Sequence, residues 1–565
     1  MILFPRIPGR AAWLRPWWAG LVCAVALAGC GGGAGEASET VAATAAAQPQ
    51  DTEAATGLVA TDTVMTRFGA VRGNSYSGGL EFLGIPFAKP PVGALRWRPP
   101  EDPAPWISVL ATQAFRPACP QMRFAAGQDT GTADGDEDCL QLNVWTPGAS
   151  GVAGLPVMVF IHGGGQQQGS AGEVQGGTQI YNGRNLAARG HAVVVTIQYR
   201  LGPLGYLVHP GLEAESAGAS GNYGVMDQIQ ALKWVKNNIA AFGGDPSRVM
   251  VFGQSAGGVN VGNLLTAPSA KGLFQRAAIE SGGPVLGDYA GAKAKGIAFV
   301  DGLVARGTDT QKIAVLRTRD WRTIIASETP PVSGGVVQMN WQPVVDGVVF
   351  RTDPALTFAS GQFNHVPLLL GSTADEMSRS VPPGVEPASV RALIAAMVPW
   401  AYREQALQLY PPGTTADEAK NAYVQILTDA QFTSLARRTA RAVAPQQQEP
   451  VWRYFFSHRH AGALAQVGSY HGIELFYVFN TWENTPYAQA GGFSADDAAV
   501  QAQTLQYWVN FARTGNPNAG TLAAWPRFES AADCYLEIKA SPNGSQCGLR
   551  TQKSDLWDSV RALGQ

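Results

Sequence analysis

The sequence predicts an α/β fold: a large, mostly parallel central sheet flanked by helices, folded as a single domain. Three observations predict it. Residues 156–161, 191–197 and 248–252 are largely unbroken apolar runs, rich in Val, Met, Phe and Ile, which suits strands covered on both faces of a parallel sheet. Between the last two, Val225, Ile229, Leu232, Val235 and Ile239 recur at spacings of four, three, three and four. That is the period of an amphipathic helix, and Gly243-Gly244-Asp245-Pro246 stops it. Further strands are expected at 275–279 and 366–370, so strands and helices alternate along the chain.

Composition narrows the function classes. The chain has 565 residues, 45% hydrophobic and 15% charged, enough apolar residues for a large core. Its net charge of −2 argues against a nucleic-acid partner held on a basic surface. Gly and Pro are abundant but follow no Gly-X-Y period, and no internal repeat marks a solenoid or propeller.

Three segments follow in order. Arg6, Arg10 and Arg15 precede an apolar run at 17–28, with no acid before Glu36. That run is short for a bilayer span and has the layout of a signal peptide; a short retained anchor is the other reading. It ends in Leu27-Ala28-Gly29-Cys30, which resembles the lipobox of bacterial lipoproteins. The resemblance implies lipidation of Cys30, export to the bacterial cell envelope and membrane contact only through the lipid. Residues 31–60 are Ala, Gly, Thr, Ser and Gln with four acids and no aromatic residue, the composition of a flexible tether. Residues 61–565 form the folded domain. The leader carries +3 and the tether −4, leaving the domain near −1, so its field selects no charged substrate.

Beyond the leader stand Cys119, Cys139, Cys534 and Cys547. Four cysteines allow three pairings. The simplest is two local loops, 119–139 and 534–547, each stabilising by about 3 kcal/mol. No C-x-x-C or nearby histidine cluster favours a metal, and disulfides suit an oxidising compartment.

The chemistry centres on Gly253-Gln254-Ser255-Ala256-Gly257, placed after a strand and before a helix. A serine in such a turn is exposed as a nucleophile, and the flanking glycines make the sharp turn possible. His162-Gly163-Gly164-Gly165 directly follows the strand at 156–161. Backbone N–H groups of Gly164 and Gly165, with that of Ala256, can converge on a developing oxyanion. A glycine-rich turn without a ligand is the plainer alternative.

With these motifs the chain resembles the type-B carboxylesterase/lipase family, which includes the cholinesterases and has the α/β-hydrolase fold. The likeness runs over residues 68–528. It includes Leu83-Gly84-Ile85-Pro86-Phe87, Glu137-Asp138-Cys139-Leu140, Tyr199-Arg200-Leu201-Gly202, Phe242-Gly243-Gly244-Asp245-Pro246 and Gly515-Asn516-Pro517-Asn518. The resemblance implies a Cys119–Cys139 disulfide.

A serine nucleophile needs a histidine to take its proton and a carboxylate to orient that histidine. In this fold the order is Ser, acid, His, and only His365, His458, His460 and His471 follow Ser255. His365 leaves almost no room for an acid before it, and His458 and His460 end an aromatic run. His471, in Ser-Tyr-His-Gly-Ile-Glu, matches the family's catalytic loop. The same resemblance makes Glu376 the acid, with Asp375 a loop-stabilising neighbour. Met377 stands where the family usually has glycine.

Two further departures bear on the site. Gln166, followed by Gln167 and Gln168, replaces a common aromatic residue and is expected to make the wall beside the oxyanion hole more polar. Gln254 replaces a common glutamate. No residue set marks a choline site. The resemblance therefore implies hydrolysis of a small-molecule carboxylic ester through an acyl-enzyme, with no metal or organic cofactor required. The same machinery accepts amide or carbamate carbonyls. Binding-only relatives of this fold lose the serine or histidine, whereas this chain keeps both. The acyl and alcohol groups and the oligomeric state are not legible.

Overall fold

The computed structural model describes residues 62–562, apart from 125–129, 148–152, 176, 217, 331, 334, 461 and 542. The expected signal peptide, Cys30 and the tether lie outside the described residues.

The central sheet has 11 strands among the described residues. In chain order they are β1 (Asn74–Tyr76), β2 (Gly79–Pro86), β3 (Gln141–Pro147), β4 (Leu155–Ile161), β5 (Val193–Ile197), β6 (Gly244–Gln254), β7 (Arg276–Glu280), β8 (Leu368–Thr373), β9 (Val451–Phe456), β10 (Cys534–Ile538) and β11 (Gly544–Cys547). Their spatial order is β1-β2-β3-β5-β4-β6-β7-β8-β9-β10-β11. Pairing is parallel from β5 through β10 and antiparallel at both margins.

The unbroken apolar runs have a direct physical cause. Side chains alternate across a strand, and here both faces are covered. Val157, Val159 and Ile161 of β4 and Val249 and Val251 of β6 enter one core. Met158 and Phe160 of β4 and Met250 and Phe252 of β6 enter the other. Burying each such side chain stabilises the fold by about 1.5–3 kcal/mol, so a polar residue on either face of these strands would be costly.

Strand bounds shift slightly from the sequence expectation. β5 starts at Val193, because His191 is left-handed at φ 47° and ends a short helix, Arg184–Gly190. β8 starts at Leu368, because Pro367 has no N–H to give the ladder. The helix expected over 225–239 is α1 (Tyr223–Asn238); Val225, Ile229, Leu232 and Val235 within it, and Ile239 at its C-cap, are all buried. The other helices that shape the site are α2 (Ala256–Thr266), α3 (Ala416–Thr428), α4 (Ser434–Val443), α5 (Glu474–Val478) and α6 (Ala495–Thr514).

Cys119 is joined to Cys139 and Cys534 to Cys547. The second disulfide links directly opposed residues of β10 and β11. No described helix is long and apolar enough to cross a membrane.

Candidate active site

Ser255 sits between β6 and α2 with φ 59° and ψ −124°. A non-glycine residue rarely adopts a positive φ, and such strain persists only where the surroundings impose it. Here the N–H of Ser255 donates to the Glu280 carbonyl at 2.9 Å, and its own carbonyl accepts from Val259 N–H at 2.9 Å. Both flanking glycines are sterically required. A Cβ on Gly257 would lie 1.9 Å from the Ile161 carbonyl oxygen, and one on Gly253 would lie 2.7 Å from the backbone of Gly257.

The His162–Gly165 loop lies against this turn: a Cβ on Gly163 would approach Ser255 Cβ to 3.0 Å. Gly164 and Gly165 have φ 113° and 64°. Among the described residues, no hydrogen bond engages the N–H of Gly164, Gly165 or Ala256. Three donors beside one serine suit a developing negative charge. His162 stacks on Tyr199, and burial pushes its imidazole down to about 4, so it stays neutral near pH 7.

Glu376 follows β8 and is buried. Its Oε2 lies 2.5 Å from His471 Nδ1, and its Oε1 accepts the Thr373 N–H at 2.8 Å. The two loops are also joined through their backbones: His471 N–H donates to Glu376 O at 2.9 Å, and Asp375 N–H to Ser469 O at 3.0 Å. Asp375 Oδ2 accepts from Ser469 N–H at 3.0 Å, a loop-stabilising contact. Met377, in place of glycine, is buried in an apolar cluster beside the site.

The other downstream histidines are engaged elsewhere. His458 pairs with Asp497 at 2.8 Å, His365 with the Gly361 carbonyl at 2.9 Å, and His460 packs against Tyr470 and Trp482. His471 alone of the four meets Glu376.

Among the described residues no hydrogen bond joins Ser255 Oγ to His471. Instead, Gln254 Nε2 lies 3.2 Å from His471 Nε2 and 3.4 Å from Nδ1. Catalytic hydrogen bonds often tighten only when substrate binds. With Nδ1 donating to Glu376, Nε2 holds the ring's free lone pair, and the Gln254 amide competes for it. A carboxylate at this range interacts with an imidazolium by several kcal/mol at an effective dielectric of about 20, before screening. Gln254→Glu is therefore expected to favour the protonated base. The acid limb of the kcat/KM profile should move to higher pH by about one pH unit. An unchanged limb in a folded variant would show that residue 254 is not coupled to the base.

Several neighbours carried no sequence signal. Phe432, on a one-turn π-bulge (Asp429–Thr433) between α3 and α4, packs its ring 4.8 Å from that of His471. Near His471, Glu474 accepts from Ser281 Oγ at 3.3 Å, and Glu280 accepts from the Trp508 indole. Burial pushes Glu280 up to about 8 and raises Glu474 well above the carboxylate range, the latter also through the charges of Glu376 and Glu280. Gln166 and Gln167 are buried, and Gln166 turns into hydrogen bonds of the interior, so the expected polar wall beside the oxyanion hole is not built from it. Among the described residues no group of three or more His, Cys, Asp or Glu is placed to hold a metal.

A model of the carboxylesterase family matches residues 60–557. The chain belongs to the carboxylesterase family. It is 37% identical over 509 residues to a fumonisin B1 esterase of Sphingopyxis macrogoltabida, covering 86% of this chain and 88% of that protein. It is 34% identical over 470 residues to a para-nitrobenzyl esterase of Bacillus subtilis, covering 82% and 92%. A solved PNB esterase structure superposes with a TM-score of 0.75 at 31% identity, covering 88% of this chain and 99% of that one. The fold is thus the α/β-hydrolase fold and the protein is a carboxylic ester hydrolase.

Proposed function

We propose that this esterase works through a Ser255–His471–Glu376 triad and an acyl-enzyme. His471 Nε2 takes the proton of Ser255 as Oγ attacks the ester carbonyl, and the amides of Gly164, Gly165 and Ala256 hold the oxyanion. The imidazolium, paired with Glu376, protonates the departing alcohol, and water then releases the acyl group by the same route. The observation that carries this reading is the contact of His471 Nδ1 with Glu376, made beside a serine held at positive φ.

Partitioning of the acyl group tests it. Esters sharing one acyl group but differing in leaving alcohol are hydrolysed in the presence of methanol. A common acyl-enzyme gives one ratio of acid to methyl ester for all of them. A ratio that follows the leaving group contradicts the intermediate.

We also propose that residues 1–30 direct export, that Cys30 is lipidated in the bacterial envelope, and that 31–60 tether the catalytic domain 61–565. Two disulfides in the domain support an oxidising compartment. Because several acyl chains hold firmly where one holds weakly, Cys30→Ser should move the protein from the membrane to the soluble envelope fraction. A native N-terminus lacking lipid by mass spectrometry would contradict this.

A further inference from the structure

The residue after the Gly163–Gly165 stretch, Gln166, is fully buried and left-handed at φ 65°. All of its side-chain hydrogen-bonding capacity is directed at fixed partners. Nε2 donates to Asn260 Oδ1 at 2.8 Å and, more weakly, to the Ala256 carbonyl at 3.4 Å. Oε1 accepts from Asn260 Nδ2 at 3.2 Å and from the Tyr206 hydroxyl at 2.9 Å. The two amides thus pair reciprocally, which fixes the rotation of both. The backbone is tied as well, since Gln166 O accepts from Gly202 N–H at 2.7 Å.

The partners define what the pairing does. Asn260 is buried on the first turns of α2, the helix that opens with Ala256. Gln166 follows Gly164 and Gly165 directly in sequence. The amide pair therefore ties the loop carrying two oxyanion donors to the helix carrying the third. Such donors act by being preorganised, and small displacements weaken them.

We propose that Gln166, clamped by Asn260 and Tyr206, is a positioning residue that sets the spacing between the Gly164–Gly165 amides and the Ala256 amide. This rests on the oxyanion-hole reading given above. An apolar residue of similar length leaves the buried Asn260 amide and Tyr206 hydroxyl without this partner and frees the loop to shift. Losing one oxyanion donor outright costs about 10²–10³ in kcat; displacing donors that remain present costs less.

The test measures para-nitrophenyl butyrate turnover together with the affinities of an alkyl trifluoromethyl ketone, which forms an oxyanion on the serine, and of the matching methyl ketone. Gln166→Met is expected to lower kcat by about 10- to 100-fold with KM within about threefold. Trifluoromethyl ketone affinity should fall in step with kcat/KM, and methyl ketone affinity should hold. The double variant Gln166→Met/Asn260→Leu should lose less than the product of the two single losses, because both remove one device. A Gln166→Met enzyme that keeps the wild-type ratio of the two ketone affinities overturns the clamp. If that chain does not fold, the same ratio in Asn260→Ala decides. A wild-type enzyme with no preference for the trifluoromethyl ketone overturns the oxyanion-hole reading and the clamp with it.

Discussion

Ser255→Ala is expected to lower kcat for ester hydrolysis by about six orders of magnitude while leaving circular dichroism and melting unchanged. In the proposed mechanism, removing Oγ eliminates the nucleophile, and the binding groups and oxyanion amides that remain still give a residue of catalysis over water. The fold should tolerate the change. Alanine accepts the position no less readily than serine, and the turn is held by backbone bonds to Glu280 and Val259 that do not involve the side chain. A folded variant retaining more than about a hundredth of the activity would remove Ser255 from the mechanism.

Glu376→Gln is expected to cost less than Ser255→Ala but still several orders of magnitude, through proton placement rather than lost structure. In the parent, Thr373 N–H donates to one carboxylate oxygen and His471 Nδ1–H to the other. The glutamine carbonyl satisfies the Thr373 N–H, so its NH₂ faces Nδ1. Nδ1 must then accept, which puts the ring proton on Nε2, the atom that should receive the proton of Ser255. The comparable amide substitution of a triad acid costs about 10⁴ in kcat. KM should change little, because the acid does not touch the ester. A loss of less than about tenfold would mean that Glu376 does not set the tautomer of His471.

The parts of the site that were legible in the sequence are those fixed by local sterics. Gly253 and Gly257 announce the turn because any Cβ there collides with backbone. The central strands read as unbroken apolar runs because cores cover both faces of β4 and β6. Family likeness alone separates Glu376 from Asp375 in the sequence; locally the two acids look alike, and only the fold shows one facing His471 and the other Ser469. Gln166 departs from the expectation for a related reason. Its polarity suggested a polar wall, but side-chain direction depends on a left-handed backbone and on Asn260, 94 residues away in sequence. Phe432 had no signal at all, since its contact with His471 depends on a π-bulge on a distant helix pair.

The most direct test of the account is peptide mapping after inactivation by a fluorophosphonate. The reagent should add once per chain, activity should fall in proportion to labelling, and mass spectrometry should place the adduct on Ser255. An adduct on another residue that accompanies loss of activity, or full labelling of Ser255 with activity retained, would contradict Ser255 as the nucleophile.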